Sequence, residues 1–489
     1  MESSWEIEQA LQAVADFRRD LSRTPVARLD LLEQERRVQQ VVNSVGRALM
    51  GEVLGHADVR QPEVTINGKQ WGNRRDSEAP YTTLFGEVRV SRGIYSQAGG
   101  GPVMVPMELR LGIVEGRYTP CAARVLCRAM ASMPAEEAAG LLREAGVATV
   151  SESTLNRIPK AIAARYETER EQINAELREA EQVPDDAASI QVGLDGVMVP
   201  QDGEHAKPRG RRTESPKEPR HEARYGPVNG PGPAANDGLT GRSWHEASVG
   251  TLAYYDAEGN HLRTVYLGRM PEAKMATLSQ ELEQELSHAL GQRPDLNVTF
   301  ASDGDLHQWT ILQGIASRMS SNATGQVWYL LDFYHAAEYL TKASDLLYGT
   351  NSAESHATAA QWRETLKHDE AGAERVLKSL RYHRDELART SDREQLQGII
   401  DYLADNKRAG RLAYADARAN HLPIGTGITE AAAKTVANTR MKRAGARFEQ
   451  HGGQTVMLFR AALLSERFHR LSSTLERTYT AQVELKQAA

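Results

Sequence analysis

The sequence predicts an α+β protein of several domains, and three observations carry that prediction. Apolar residues recur at helical spacing over the first sixty residues and again beyond 118. From Val64 to Tyr95, and again from Ile190 to Leu331, strand-like runs appear with turn dipeptides between them. A length of 489 residues also exceeds what one hydrophobic core commonly serves. The pattern divides the chain into 1–60 (helical, for dimerisation or DNA binding), 61–117 (a small β unit) and 118–181 (a helix-turn-helix-like helical domain). It continues with 182–347 (the first part of a strand-rich core), 348–424 (a helical insertion) and 425–489 (the last helix of the core with a helical tail).

Composition narrows the class without naming it. Hydrophobic residues make up 40% and charged residues 25%, as in globular proteins, which excludes a disordered or fibrous chain. No apolar run approaches the roughly 20 residues of a membrane helix. The acidic start, Met1-Glu-Ser-Ser-Trp5, does not resemble a signal peptide. The two cysteines, Cys121 and Cys127, have neither zinc-knuckle nor disulfide spacing, so buried thiols in a reducing cytoplasm are expected. A net charge of −6 and a pI near 6.2 argue against coating by nucleic acid over the whole surface, while local basic patches escape such a sum.

In the first segment Ile7, Leu11, Val14, Phe17 and Leu21, then Val38, Val41, Val42, Val45, Leu49 and Val53, predict two amphipathic helices with a packing face. Asn67-Gly68 after Val64-Thr-Ile66 is a two-residue hairpin signal. Tyr81 to Leu84 and Val88 to Val90 follow around Gly86, and Gly99 to Pro102 closes the unit. Beyond Tyr118, Pro134 opens a helix whose inner face is Ala138, Leu141 and Leu142. Gly146 breaks that helix, and Ser151 or Ser153 caps a second one with Leu155, Ile158 and Ile162 inward. Helix, glycine turn and capped helix outline a helix-turn-helix, with Asn156, Arg157 and Lys160 pointing outward, either toward DNA or as the solvent face of an ordinary helical pair.

Past the polar linker 182–189, Ile190 to Leu194 runs into Asp195-Gly196 and Val197 to Val199. The span 201–242 is rich in Pro, Gly, Arg and Lys and reads as a basic loop within reach of phosphates. Strands follow at Ala247–Tyr255 and Leu262–Leu267, a helix at Pro271–Leu290, and a strand at Val298–Ala301 ending in Ser302-Asp303-Gly304. A helix to Met319, a strand from Gln326 to Leu331 and a helix from His335 complete the run. Three antiparallel-looking strands, a helix and two strand–helix units is the order of an RNase H-like core. The helical stretch from Ser352 to Ala419 then interrupts it before the helix opened by Gly425-Thr-Gly-Ile-Thr-Glu430.

In that fold order Asp195 and Asp303 end neighbouring parallel strands, and Glu430 stands in the first turn of the last helix. Three carboxylates so gathered suit hard divalent cations, which take oxygen ligands. Two such ions roughly 3.5–4 Å apart clamp the attacking and leaving oxygens of a phosphodiester. Gly196 and Gly304 leave room beside each aspartate for a nucleic-acid backbone. Asp-Gly is also the commonest turn dipeptide, so either aspartate alone reads as turn chemistry. Asp332 and His335, at a strand-to-helix junction, either position the site or form a helix cap with a core histidine; Glu246 is a further acid at a strand start. Arg440, Lys442, Arg443 and Arg447 follow Glu430 as basic residues, either for phosphates or as a solvated face, with Phe448 as an aromatic face for a base.

Asp195-Gly196, Ser302-Asp303-Gly304, Asp332-Phe-Tyr-His335 and Gly425-Thr-Gly-Ile-Thr-Glu430 resemble the signatures of bacterial insertion-sequence DDE transposases. The match is to the ISKra-type branch, related to Mutator-like elements. Trp244-His-Glu246, Tyr266-Leu-Gly-Arg269-Met-Pro271, Arg440-Met-Lys442-Arg443-Ala-Gly445 and the region from Phe85 to Tyr95 are similar too, so the resemblance runs from Tyr81 to Arg470. It implies a metal-binding catalytic triad of Asp195, Asp303 and Glu430 holding two Mg²⁺ ions, with Mn²⁺ as substitute. It also implies DNA partners (terminal inverted repeats and target DNA), a homodimer or larger assembly, and a cytoplasmic, nucleoid-associated place in a bacterium. Two departures stand out: Ser96 and Gln97 replace a cysteine pair, and Phe448 replaces a tryptophan. Two other readings belong beside the transposase: a catalytically silent DNA-binding descendant, and an RNase H-fold nuclease that cuts without joining.

Overall fold

In a computed structural model the described residues are 2–147, 150–202, 242–319, 322–444 and 446–485. Most of the basic span 201–242 lies outside them. The chain forms two compact units, one of Met1–Leu177 with Arg467–Ala489 and one of Arg178–Glu466. The architecture is mixed α and β, with one five-stranded sheet in each unit. Among the described residues no helix is long and apolar enough to cross a membrane.

The first unit opens with α1 (Glu2–Arg23) and α2 (Leu31–Ala57), the latter capped by Asp30, whose carboxylate accepts from the Leu32 amide at 3.0 Å. The packing face read from the sequence is only partly covered within the unit: Leu11, Val38, Val42, Leu49 and Val53 are exposed. β1 (Glu63–Ile66) turns into β2 (Lys69–Thr83) through Asn67 and Gly68, both at positive φ, the backbone of a tight primed hairpin. β3 (Gly86–Ser96) and β4 (Val103–Met104) extend that sheet. Leu54, Tyr81, Val88 and Met107 form its core.

Helices α3 (Pro106–Leu111), α4 (Pro120–Ser132), α5 (Ala135–Glu144) and α6 (Glu152–Glu179) follow. Ser151 caps α6 through the Thr154 amide at 3.2 Å, and Leu155, Ile158 and Ile162 face inward. Leu141, expected inside, is exposed, whereas Ala138 and Leu142 are buried. Of the two thiols expected to be buried, only Cys127 is; Cys121 is exposed on α4.

The second unit is built on β5 (Ser189–Asp202), β6 (Arg242–Tyr255) and β7 (His261–Arg269), antiparallel neighbours. After α7 (Ala276–Gln292) come β8 (Asn297–Ser302), α8 (Leu306–Ser317), β9 (Val327–Leu331) and α9 (Phe333–Tyr348). β8 pairs parallel with β5, and β9 parallel with β8, giving the order β7-β6-β5-β8-β9. Ile190, Val192, Leu252, Leu282, Phe300 and Trp309 share one buried cluster of this unit. A second core joins β9 and α9 to the helices α10 (Ala353–His368), α11 (Gly372–Glu386), α12 (Thr390–Arg408) and α13 (Tyr414–Ala419).

The helix carrying Glu430 is α14 (Gly427–Ala432), continued by a π-helical stretch (Ala433–Asn438) and α15 (Thr439–Met441). It is followed by α16 (Gln450–Leu464). The remaining elements, α17 (Phe468–Thr478) and β10 (Val483–Leu485), belong to the first unit. The helical tail expected at the C-terminus is α17, and beyond it β10 pairs antiparallel with β1, adding an edge strand to the first sheet.

Candidate active site

Strand order brings distant acids together. β5 and β8 set Gly193 beside Ala301, and β8 and β9 set Ser302 beside Leu331. Asp195 lies two residues beyond the last β5–β8 pair, and Asp303 and Asp332 directly follow the last β8–β9 pair, so all three come to the same edge of the sheet.

Asp195 itself does not end a strand, contrary to the sequence expectation. β5 runs on to Asp202 against β6, with Asp195 opposite Val249. What ends near it is the pairing with β8. The rooms beside the aspartates are also occupied: a Cβ on Gly196 would meet the Glu246 carboxylate, and one on Gly304 the Tyr402 hydroxyl at 2.1 Å. Tyr402 uses that space to donate to the Asp303 carbonyl at 3.2 Å. The glycines therefore admit the chain's own side chains where the sequence suggested room for DNA.

Glu430 is brought to the sheet by its neighbour. Thr429 is buried, its Oγ1 2.7 Å from that of Thr251 on β6. A Cβ on Gly193 would lie 2.1 Å from the Thr429 hydroxyl, so the helix seats on β5 only because position 193 has no side chain. Gln191 holds the approach loop by donating to the Gly425 carbonyl at 3.1 Å.

Asp195, Asp303 and Glu430 line one cavity of about 210 Å³, together with Leu194, Tyr334, His335, Glu338, Thr426 and Thr429. Burial raises the Asp195 carboxyl, and Asp303, Glu430 and Glu246 add to it against the opposing Gly196 amide, so that it titrates at about 7. Glu246 is also raised, first by burial and then by Asp305, with His307 opposing.

The donor set is hard oxygen, and a divalent cation among these acids would favour the ionised Asp195 that burial and its acidic neighbours disfavour. Among the described residues no three His, Cys, Asp or Glu side chains close around one point. The acids line a shared space without closing around one point. Their oxygen donors are of the kind that hard divalent ions take.

Asp332 has another task. It is 1% exposed. One carboxylate oxygen accepts from the His335 amide at 2.7 Å, and the other from the Thr426 amide and hydroxyl at 2.5 and 2.7 Å. It caps α9 and ties the Glu430 loop to it. His335 lines the cavity and meets the rings of Tyr339 and Tyr402 edge-on.

The basic row after Glu430 does not form one open face. Arg440 is 4% exposed, Lys442 and Arg443 are exposed, and the Arg447 Nε donates to Asp202 at 2.8 Å. Phe448 is half-buried, its carbonyl accepting from the Asp202 amide at 2.9 Å. On α6, Asn156 and Arg157 are exposed and Lys160 is half-buried. The Asn156 amide is turned back onto the Glu152 carbonyl at 3.0 Å, and the Arg157 guanidinium reaches the Tyr118 hydroxyl at 3.4 Å.

Sequence reasoning missed Tyr334 and Glu338. Glu338 follows His335 by three residues, one helical turn on the same face, and that spacing was the available signal. No protein-family model matches the chain, and no curated protein matches it.

Proposed function

We propose that the chain is a DDE transposase with an RNase H-like core, cleaving DNA at an element's ends and joining the freed strands to target DNA. The strand order β7-β6-β5-β8-β9, three antiparallel and two parallel, supports the core. The observation that carries the activity is one cavity lined by carboxylates from three remote stretches, Asp195, Asp303 and Glu430.

In this reading the three acids hold the cations and orient them, and Asp195 releases its proton as they bind. Bound there, two Mg²⁺ ions, or Mn²⁺ in their place, supply charge stabilisation at the attacking and leaving oxygens of a phosphodiester. Thr429 and Gly193 fix the height of Glu430 over β5, and Asp332 fixes the loop that feeds it. Water attacks the phosphorus at the element's end; a P–O bond forms, the P–O3′ bond breaks, and the element keeps a 3′ hydroxyl while the water's proton is given up. That hydroxyl then attacks a target phosphorus at the same site, displacing the target strand's 3′ oxygen, and synapsis of two ends calls for two or more chains.

The test uses purified protein, Mg²⁺ or Mn²⁺, and DNA carrying the sequences on either side of its gene, where terminal inverted repeats are expected. Asp195→Asn, Asp303→Asn and Glu430→Gln each abolish cleavage and joining while binding to the ends persists. Full-rate strand transfer by any one of them refutes the assignment. Cleavage without joined product by the wild-type chain identifies a nuclease instead.

A further inference from the structure

We infer that Tyr334 is the platform on which a nucleobase beside the cleaved phosphodiester stacks, an inference that rests on the proposed DNA cleavage. Tyr334 lies in the first turn of α9 and is 68% exposed, although Phe333 before it and Ala336 after it are buried. A lone exposed tyrosine is ordinary, and Tyr382 is as open; what sets Tyr334 apart is that it lines the acidic cavity.

The ring is held in place. Gly425, in the loop leading to Glu430, passes so close that a Cβ there would lie 3.0 Å from the Tyr334 ring. Phe333 meets it edge-on, with centroids 5.7 Å apart. One side of the ring is thus braced and the rest is open at the lip of the acidic cavity. A ring fixed before binding loses little freedom when a base arrives.

The chemistry of the cavity wall points the same way. Four carboxylates line it, and none of its residues is Lys or Arg. A DNA strand entering there finds no basic side chain of that wall to take its phosphates. What the wall offers an incoming nucleotide is a π-face, which any base accepts. His335 is the other aromatic group, but its ring already meets Tyr339 and Tyr402.

The experiment compares Tyr334→Ala, Tyr334→Phe and Asp195→Asn on inverted-repeat DNA carrying 2-aminopurine at the base next to the cut. Wild type and Tyr334→Phe quench the probe, and Tyr334→Ala does not. For Tyr334→Ala, KM for DNA rises by about 5- to 150-fold, the equivalent of the about 1–3 kcal/mol of one base–aromatic stack. The slope of affinity against salt stays at the wild-type value, because no phosphate contact is lost. Tm is unchanged, since the ring is exposed.

Unaltered quenching and KM in Tyr334→Ala overturn the inference. So does a Tyr334→Phe variant as impaired as Tyr334→Ala, which would place the function in the hydroxyl. If Asp195→Asn cleaves at the wild-type rate, the cleavage reading falls first. If Asp195→Asn is dead and Tyr334→Ala behaves as wild type, stacking alone is refuted.

Discussion

At the scale of single residues, Asp195 carries a stability cost that the proposed metal chemistry would explain. Its folded carboxyl titrates at about 7 against an ordinary value of 3.8, raised by burial first and by Asp303 next. A raised carboxyl favours the folded state while protonated, and that advantage is lost as pH climbs from 3.8 through 7. In chelator, Asp195→Asn should therefore match wild type near pH 4 and exceed it above pH 7.5, by roughly 4 kcal/mol, read as a rise in Tm. An equal shift at both pH values would mean that ionisation is not the cause. Asp332 gives the contrasting case. Asp332→Ala removes the acceptor for the His335 amide and for both donors of Thr426, and should cost about 2–4 kcal/mol in denaturant unfolding. The three acids were legible in the sequence because each sat at a marked break: Asp-Gly twice, and Gly-Thr-Gly before Glu430. Tyr334 and Glu338 were not, because an ordinary helical turn gives no sign of which face a loop about 90 residues later will leave open.

At the scale of elements, the last helix is set by what lies under it. Gly193→Ala forces a Cβ toward the Thr429 hydroxyl and should lift Glu430 from β5. The expected cost is about 1–3 kcal/mol of stability and about a hundredfold in cleavage rate, with partial recovery in Gly193→Ala/Thr429→Ala. No recovery in the double variant would mean that the clash lies elsewhere. Two elements depart from the sequence expectation for physical reasons. Asp195-Gly196 has turn composition, yet β6 pairs with β5 straight through it, and long-range pairing outweighs local propensity. The basic row after Glu430 does not share one helical face because the helix ends at Met441: Arg440 lies inside it, while Lys442, Arg443 and Arg447 fall in the segment beyond.

At the scale of the whole molecule, the chain returns to its beginning. β10 covers the edge of β1, with Val64 opposite Leu485. Ending the chain after Ala481 should uncover that edge and speed hydrogen exchange at the amides of β1, with the β5 to β9 amides unchanged. Unchanged protection in β1 would show that β10 contributes nothing. Three residues, Val483-Glu-Leu485, are too few to signal a strand by periodicity, and their partner lies at the other end of the sequence. The mixed helix-and-sheet architecture was legible, because period-two and helical patterns alternate over long stretches; the return of the C-terminus was not. The account depends on Asp195, Asp303 and Glu430 acting together on divalent cations. The most direct measurement is Mn²⁺ bound per chain, by electron paramagnetic resonance with inverted-repeat DNA present. About two ions for wild type and none for the Asp195→Asn/Asp303→Asn/Glu430→Gln variant is the predicted result. Equal Mn²⁺ uptake by both would contradict it.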